Sequence, residues 1–416
     1  MTTDKNNIAI IGAGVIGVTT AIELQDKGYK VTLIDDNGIA EKCSKGNAGH
    51  IATCLPFPLA SPELLARVPI MLLDPKGPLT IQWSHFFSLL PWFLRFSLFA
   101  LNKTRIQNST EAINQLNQHS LSTWLKLLDK TNLSGFHKSV GQICLYETKN
   151  ASVVVKRELE KLKPYSVTAQ SLGRDELFDL EPAVSTHVKA GIYYSDTSHM
   201  IDPEGVVNKL AEHFLSQGGV LIRDKINRLE PVASDWKLYS SSKTYQFDKV
   251  VLAAGAWSAK LLAGIGVNIP LETERGYHLM LKGQSPLHRP ISSAERNFIM
   301  TPLSSGTRLS GTVEFASVDA KADYKRADIL MKHTNALIPE TEHSEITSKW
   351  MGCRPTLPDS LPVIGKIEQL QGLYLSFGHQ HLGLTQAAIS ARLIAQLIND
   401  EPTDLDLSAY SPLRRF

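Results

Sequence analysis

The chain opens with apolar runs separated by a glycine-rich break. Residues 8–11 form a short apolar run, residues 12–17 have the sequence GAGVIG, and a second apolar run, 31–34, ends at Asp35. The intervening residues have the composition and length of a helix. Two apolar strands joined by a helix of this length are typical of a parallel crossover unit. The pattern therefore predicts a strand, a tight turn, a helix and a second parallel strand.

Hydrophobic periodicity continues through the rest of the chain. Helical or alternating spacing predicts helices at 106–132 and 150–163, and strands at 140–147, 189–195, 220–224 and 248–258. The last two segments have the apolar composition of buried strands. They are therefore predicted to join the first sheet, although they lie far from its first strands in sequence.

Three further segments have distinct patterns. Asp202 and Pro203 are suited to the N-cap and first position of a helix that ends near Gly218. Residues 271–315 are short β-rich runs broken by Gly, Pro and Ser, which is typical of an antiparallel sheet. Residues 373–398 predict a strand, a turn rich in Gly and His, and a helix. The overall prediction is an α/β chain with one parallel and one antiparallel or mixed sheet.

The segment 86–101, FFSLLPWFLRFSLFAL, is strongly apolar but is interrupted by Pro91 and Arg95. It is shorter than the roughly 20 apolar residues that a spanning helix needs. Two interpretations stay open. The segment is either a helix buried between domains or an interfacial helix that rests on a membrane.

Composition excludes several classes of protein. The chain has 416 residues, of which 43% are hydrophobic, enough for two domains with their own cores. Its 43 basic and 41 acidic residues are spread along the chain, so no nucleic-acid surface is expected. The four cysteines show neither CxxC nor zinc spacing, so no metal site is predicted. We expect a reducing, cytoplasmic location, because no signal peptide is recognisable.

The glycine-rich turn has the spacing of a dinucleotide-binding site. Gly12 would allow the tight turn, Gly14 the approach of a pyrophosphate, and Gly17 close packing of the helix on the sheet. Phosphates bind favourably at a helix N-terminus. A carboxylate at Asp35 would accept hydrogen bonds from a ribose 2′-OH and repel a 2′-phosphate. The ligand is therefore expected to be FAD or NAD, not NADP.

Four motifs in order resemble the FAD-dependent oxidoreductases of the D-amino acid oxidase type, and most closely the bacterial D-amino acid dehydrogenases. They are GAGVIG with Asp35, SKGNAGHI at 44–51, LAAGAWS at 252–258, and the pair GCRPTLPDSLPVIG at 352–365 and FGHQHLGLTQA at 377–387. The resemblance covers nearly the whole chain. It implies a doubly wound, Rossmann-like FAD-binding domain interleaved with an α+β substrate domain built on a large mixed or antiparallel sheet.

The resemblance also implies a discontinuous domain organisation. Residues 1–85, 198–265 and 345–416 are assigned to the FAD-binding domain. Residues 86–197 and 266–344 are assigned to the substrate domain, with 86–101 as a candidate membrane-docking segment.

Position by position, the resemblance assigns most of the motif residues to FAD. The turn residues would hold the pyrophosphate, the acids after the second strand the ribose, and the remaining segments the adenine and flavin. The predicted cofactor residues are Gly12, Ala13, Gly14, Val15, Ile16, Gly17, Asp35, Asp36, Ser44, Asn47, Ala48, Gly49, His50, Ile51, Ile226, Ala254, Gly255, Trp257, Gly352, Gly378, His379, Leu382, Gly383, Leu384 and Thr385.

The substrate site is predicted around Arg354, which matches the carboxylate-binding arginine of the family's G-x-R-P motif. A planar guanidinium binds a carboxylate through two parallel hydrogen bonds. Tyr277 and His278 match the facing strand, and His50 stands where related dehydrogenases often have Gln. Each has a structural alternative: Arg354 in an ion pair between domains, the others as packed or hydrogen-bonded side chains. Cys353 lies near the position at which some relatives attach flavin covalently.

The implied reaction is oxidative deamination of a D-amino acid. The α-hydrogen would pass to flavin N5 as hydride, and the imino acid would hydrolyse to a 2-oxo acid and ammonia. The resemblance suggests D-proline or a D-hydroxyproline as substrates. It implies that electrons pass to a quinone or another carrier, with docking at 86–101 on the cytoplasmic face of the inner membrane.

Several alternatives stay open. A glycine or sarcosine oxidase would share the fold and the arginine but use dioxygen, and a non-catalytic FAD-binding subunit would not turn over substrate. A reductase or monooxygenase that uses NAD(P)H normally has a second GxGxxG, which this sequence lacks. An RNA-modifying member of the same fold is disfavoured because no basic patch is present.

Overall fold

The computed structural model describes residues 7–74 and 77–416. Its helices, numbered in chain order, are α1 Val15–Asp26, α2 Pro62–Leu73, α3 Phe86–Ala100, α4 Lys103–Lys130, α5 Ala151–Leu162, α6 Arg174–Leu180, α7 Pro203–Ser216, α8 Ser258–Ala263, α9 Lys325–Leu337 and α10 Gly383–Ile398. The helices predicted at 106–132, 150–163 and 202–218 correspond to α4, α5 and α7. Asp202 caps α7 by accepting a 2.8 Å hydrogen bond from the Gly205 N–H.

A doubly wound sheet occupies one half of the molecule. In the described part of the chain its strands lie in the order Val220–Arg223, Lys30–Asp35, Asn7–Ile11, Lys249–Leu252, Leu373–Phe377 and Val363–Lys366. The neighbours are parallel except the last pair. Segments far apart in sequence therefore form one sheet, as the apolar runs at 220–224 and 248–258 predicted.

Alternate side chains of each central strand enter different hydrophobic cores. Ile8 and Ile10 join one core, with residues of α1, α4, α7 and α10. Ala9 and Ile11 join a second core, which includes Trp236. Trp236 belongs to a small antiparallel sheet with the strands Arg228–Val232, Asp235–Tyr239 and Thr244–Phe247. Since both faces are covered, the central strands are apolar over most of their length, as expected for a parallel sheet.

A large mixed sheet forms the other half. Among the residues that the structure describes, its strands lie in the order Ile346–Thr356, Glu272–Leu281, Gly306–Phe315, Phe298–Leu303, Ile291–Ser293, Gln142–Tyr146, Ala190–Tyr194 and Ala169–Leu172, with Leu79–Ile81 beside Gly306–Phe315. Most neighbours are antiparallel. The predicted fold class, a doubly wound domain interleaved with a domain on a large mixed sheet, is confirmed.

Two segments pair in the mixed sheet although the sequence analysis assigned them to the FAD-binding domain. Ile346–Thr356, assigned to the FAD-binding domain, pairs along its length with Glu272–Leu281 in the mixed sheet. Leu79–Ile81, assigned to the same domain, pairs with residues 313–315. Cross-strand pairing over such distances leaves no local signal, so the sequence pattern placed both segments with their chain neighbours. The domain boundaries themselves stay a prediction.

Helix α3 is amphipathic. It buries Leu89, Trp92, Phe96 and Phe99 in a core shared with Phe315, while Phe87, Leu90, Leu94 and Leu98 are exposed. Among the described residues, no single helix has the length and apolarity needed to cross a membrane. The pair Trp83–Ala100 and Lys103–Lys130, bent by 93°, meets the length and composition criteria only when taken together.

Candidate active site

A cavity of about 330 Å³ lies at the carboxyl ends of the parallel strands. At these ends the strands connect to the helices that follow them. Ligands of doubly wound sheets usually bind at this edge. Its wall includes Gly12 and Gly14, Asp35, Ile226 and Gly378. Residues from separate parts of the sequence thus meet around one space, which we call the cofactor cavity.

The turn before α1 has the geometry that a bound phosphate requires. Gly12 has φ +108°, and a Cβ at this position would lie 2.4 Å from the Ala253 carbonyl oxygen. A Cβ on Gly17 would lie 1.9 Å from the Gly12 carbonyl oxygen. Only glycine fits these positions, so α1 packs close to the turn. Gly14 is the N-cap residue of α1 and has no side chain of its own to cap the helix. The positive end of the helix faces the cavity, which Gly14 lines.

The Asp35 carboxylate ties two loops of the cofactor cavity together. Its Oδ2 accepts a hydrogen bond from the Ala13 N–H at 2.9 Å. Its Oδ1 accepts from the N–H groups of Asn37 and Gly38 at 2.8 and 3.0 Å. A contact to ribose stays a prediction for this side chain, which lines the cavity. Ser44 Oγ similarly accepts from the Val15 N–H at 2.9 Å.

Most predicted cofactor residues line the cofactor cavity. They are Gly12, Gly14, Val15, Ile16, Asp35, Asp36, Ser44, Asn47, Ile226, Ala254, Gly255, Trp257, Gly378, His379, Gly383 and Leu384. Together they supply a glycine-lined approach, a helix N-terminus and a carboxylate, which fits a dinucleotide such as FAD.

A second cavity, of about 570 Å³, adjoins the first. The two share Cys43, Asn47 and Gln380 in their walls. At this end the second cavity is lined by predicted residues, namely Ala48, His50, Tyr277, Gly352 and Arg354. Its far end is formed by apolar side chains of α2 and α3. We call it the substrate cavity because it contains the predicted carboxylate anchor.

The remaining predicted residues lie outside the linings of both cavities. They are Ala13, Gly17, Gly49, Ile51, His278, Leu382 and Thr385. Several support the walls from behind: the Thr385 hydroxyl, for example, accepts a 2.9 Å hydrogen bond from the Ala52 N–H. Of two residues that are adjacent in a motif, one can line a cavity while the other packs behind its wall. The sequence motif does not show which residue does which.

Arg354 projects from Ile346–Thr356 into the substrate cavity. Its Nη1 donates to Glu274 Oε1 at 2.8 Å, and its side chain is 25% exposed. The ion pair joins neighbouring strands of the mixed sheet, in which Glu274 and Arg354 are direct cross-strand partners. The structural alternative predicted for Arg354, an ion pair, is thus present, and it lies within one sheet. The guanidinium keeps further N–H donors for a ligand.

Tyr277 lines the substrate cavity, but its hydroxyl is already engaged. It donates to Glu314 Oε2 at 2.6 Å and accepts from the Asp323 N–H at 3.1 Å. Burial and the Glu314 carboxylate raise the pKa of Tyr277. Glu314 also pairs with the fully buried Arg275 at 3.3 Å. The hydroxyl contact predicted between Tyr277 and substrate would require breaking this network.

The predicted histidines are buried and neutral at pH 7. Burial lowers the pKa of His50, His278 and His379 to about 3 in each case. His278 stacks on Trp350 and contacts the Gly46 carbonyl oxygen at 3.1 Å. The sequence placed His278 beside the substrate, but the structure places it behind the wall of the substrate cavity, against Gly46 and Trp350. His50 does line the substrate cavity.

Cys353 lies in the wall of the cofactor cavity. Burial raises its pKa, which keeps the thiol protonated and poorly nucleophilic. The neighbouring Cys43 donates from Sγ to the Cys353 carbonyl oxygen at 2.6 Å, and burial raises the pKa of Cys43 to about 12. Burial therefore holds both thiols in the protonated form.

Sequence reasoning missed Glu274, Gly276 and His381, which all line the substrate cavity. Glu274 and Gly276 stand at alternate positions of the same strand as the predicted Tyr277, but alternation counted from Tyr277 puts them on the opposite face. All three line the cavity beside a β-bulge between Gly276 and Tyr277, and the sequence pattern gave no signal of that bulge. Nothing in the local pattern indicated that α2 and α3 would form the far wall.

Comparisons with known proteins agree with this geometry. Residues 7–397 match the model of a family described as FAD dependent oxidoreductase. The chain is 32% identical over 419 residues to a D-amino-acid oxidase of Bradyrhizobium diazoefficiens, covering 99% of both proteins. It is 28% identical over 415 residues to a D-amino acid dehydrogenase of Vibrio vulnificus, covering 97% of this chain and 99% of that relative.

Among solved structures, the chain resembles glycine oxidase from Geobacillus kaustophilus with a TM-score of 0.77, at 21% identity and 99% coverage of both chains. It resembles L-proline dehydrogenase from P. horikoshii with a TM-score of 0.76, at 20% identity, covering 98% of this chain and 97% of that one. Identities this low support the fold alone. The family model spans nearly the whole chain, and the cofactor cavity fits a dinucleotide. The chain therefore belongs to the FAD-dependent oxidoreductases of the D-amino acid oxidase type.

Proposed function

We propose that this enzyme oxidises D-amino acids where the two cavities meet, with the substrate carboxylate on Arg354. The observation that supports this most directly is the position of Arg354 in the wall of a cavity that adjoins the cofactor cavity. Once the substrate ammonium group has lost a proton to solvent, bound FAD would accept the α-hydrogen as hydride. The imino acid product then hydrolyses to a 2-oxo acid and ammonia. The preference for the D-enantiomer follows the relatives that are named as acting on D-amino acids.

The protein's own contribution to this reaction is orientation. Arg354 is fixed by a cross-strand ion pair with Glu274, and both belong to a sheet rather than a loop. A guanidinium held in one place selects which face of Cα is presented. Apart from this ion pair, the lining of the substrate cavity includes the buried His50, whose lowered pKa keeps it neutral at pH 7, and the apolar far wall.

Anaerobic reduction tests the proposal. We would add D- and L-amino acids to the purified flavoprotein, including D-proline and D-hydroxyproline, and follow bleaching of the flavin band. Reduction by D- but not L-amino acids is expected, with kcat/KM at least 100-fold lower in Arg354→Ala, because a bidentate charged contact is lost. Arg354→Lys retains the charge but not the planar fork and is expected to lie between.

The control is Arg157→Ala, since Arg157 is a surface residue with 69% of its side chain exposed. This variant should behave as wild type. A bound flavin that no amino acid reduces would contradict the proposal and favour a non-catalytic FAD-binding subunit. Reduction by glycine or sarcosine, with stoichiometric hydrogen peroxide in air, would favour the amine oxidase alternative.

We propose further that the electrons leave to a membrane-bound carrier such as a quinone, and that the enzyme binds peripherally to the cytoplasmic face of the inner membrane. The supporting feature is an apolar patch on α2, α3 and the residues beside them. It consists of Ile70, Leu73, Trp83, Phe87, Leu90, Leu94, Leu98 and Leu101, all exposed. On α3 these positions follow one helical stripe, because 87, 90, 94, 98 and 101 are three or four residues apart.

The position of the patch suits this role. Leu64, Val68, Trp92 and Phe96 of the same two helices line the substrate cavity from inside. Arg67 and Arg95 are exposed on α2 and α3, where they would meet anionic lipid headgroups. An exposed apolar stripe of this extent commonly marks an interaction surface.

Vesicle sedimentation tests membrane binding. The double variant Phe87→Ser/Leu94→Ser should lose binding to vesicles of anionic phospholipid and retain amino acid-dependent flavin reduction. Val153→Ser is the control, because Val153 is 71% exposed on a different helix. Equal sedimentation of all three proteins would refute the role of the patch. Reduction of a short-chain quinone by the reduced enzyme would test the acceptor separately.

A further inference from the structure

The residue opposite Arg354 has properties that the carboxylate anchor alone does not require. Glu274 projects into the substrate cavity beside Arg354, and its side chain is only 8% exposed. Its Oε1 accepts the Arg354 Nη1 hydrogen bond at 2.8 Å. A buried carboxylate is costly unless its charge is paired, and here the partner is the group that is expected to bind substrate.

This pairing affects which ligands Arg354 can accept. A ligand that carries only a carboxylate would compete with Glu274 for the guanidinium and would bring a second negative charge next to it. Two like charges a few ångströms apart in a partly buried site repel each other strongly. A zwitterionic amino acid avoids this cost, because its ammonium group is attached to the same carbon as its carboxylate.

Other charged groups near the pair do not substitute for Glu274. His381 is electrostatically coupled to both residues, but burial lowers its pKa to about 4, so it is neutral at pH 7. Glu314 is engaged by Arg275 and by the Tyr277 hydroxyl. Glu272, two residues along the same strand, contacts His85 at 3.1 Å and lies outside the cavity lining. Glu274 is thus the carboxylate placed to meet a substrate amine.

We propose that Glu274 binds the α-ammonium group of the substrate while Arg354 binds its carboxylate, so that the pair selects zwitterionic amino acids over amine-free carboxylates. This inference rests on the proposed function, since it assumes that Arg354 anchors the substrate. It assigns to Glu274 a direct role in binding and specificity, beyond holding Arg354 in place.

The test uses Glu274→Gln in the FAD-loaded enzyme, because the amide oxygen still accepts a hydrogen bond from Arg354 while the charge is removed. Two ligands are compared: D-alanine, by kcat/KM for flavin reduction, and propionate, its amine-free analogue, by the Kd from perturbation of the flavin spectrum. We expect kcat/KM for D-alanine to fall by about 10- to 100-fold, the usual effect of losing a charged hydrogen bond. Propionate should bind about 10-fold more tightly, since a like charge is removed.

Two further variants make the result decisive. Glu274→Asp keeps the charge and should not tighten propionate binding, and Glu272→Gln should leave both measurements close to wild type. Weaker binding of both ligands to Glu274→Gln would show that Glu274 only positions Arg354, and would overturn the proposal. No change in either ligand would also overturn it. Failure of the proposed function is distinguished by the wild-type enzyme, in which no D-amino acid would reduce the flavin.

Discussion

Gly276→Ala is the sharpest test of the geometry around Arg354. Gly276 lies in the strand next to Arg354, at a β-bulge between Gly276 and Tyr277. A Cβ at Gly276 would lie 2.3 Å from both Cζ and Nη2 of Arg354. An ordinary contact begins at 3.4 Å, so the guanidinium must move by about 1 Å. The obstructing atoms are the end of a flexible side chain, so we expect the strand to keep its place.

The expected result is a specific loss of activity with a retained fold. A displacement of about 1 Å at a group that positions substrate costs about 100-fold in rate, or about 2.7 kcal/mol in transition-state stabilisation. We would measure kcat/KM for the best D-amino acid, together with Tm and the flavin content. Gly135→Ala is the matched control, because a Cβ there meets nothing within 4 Å.

A Gly276→Ala enzyme whose kcat/KM stayed within threefold of wild type, with normal Tm and flavin content, would refute this reasoning. It would mean either that Arg354 relaxes without cost or that it does not anchor the substrate. A loss of both flavin and fold would instead indicate that the bulge, rather than the guanidinium, needs the glycine.

Three other outcomes are expected. Gly12→Ala should reduce the flavin content of the purified protein, measured by absorbance, because its Cβ would meet the rigid Ala253 carbonyl at 2.4 Å; full occupancy would contradict the assigned turn. Burial lowers the pKa of His379 from 6.5 to about 3, so the unfolded chain binds more protons between these values and stability is lost as pH falls through them. The free energy of unfolding, measured with denaturant between pH 6.5 and 4, should therefore fall less steeply with decreasing pH in His379→Gln than in wild type. Equal dependence on pH in both proteins would argue against a neutral, buried imidazole. Acid precipitation should release all flavin, because burial raises the pKa of Cys353; flavin left on the chain would establish covalent attachment.

The sequence by itself determined the parts of this protein that depend on short-range chemistry. The turn at Gly12, the cap at Asp202 and the α7 helix follow from backbone constraints that act over a few residues. The period of apolar residues placed α1, α4, α5 and α10 and several strands of both sheets, but it did not indicate α2, α6, α8 or α9. Motifs in order then identified the family, and most of the cofactor residues that they predicted do line the cofactor cavity, because a dinucleotide imposes the same local demands wherever it binds.

Only the tertiary structure decided which side chains contact each other. The pairing of Glu274 with Arg354, 80 residues apart in sequence, comes from the register of two strands, and neither motif specifies that register. That pairing also places Ile346–Thr356 in the mixed sheet. The pairing of Glu272–Leu281 with Gly306–Phe315, on its other side, brings the Tyr277 hydroxyl to Glu314. Helix α3 is likewise buried on one face and exposed on the other. The packing of the helix decides this, and the membrane contact of its exposed face stays a proposal. Long-range contacts of this kind are set by how the two sheets pack as a whole, which no local pattern records.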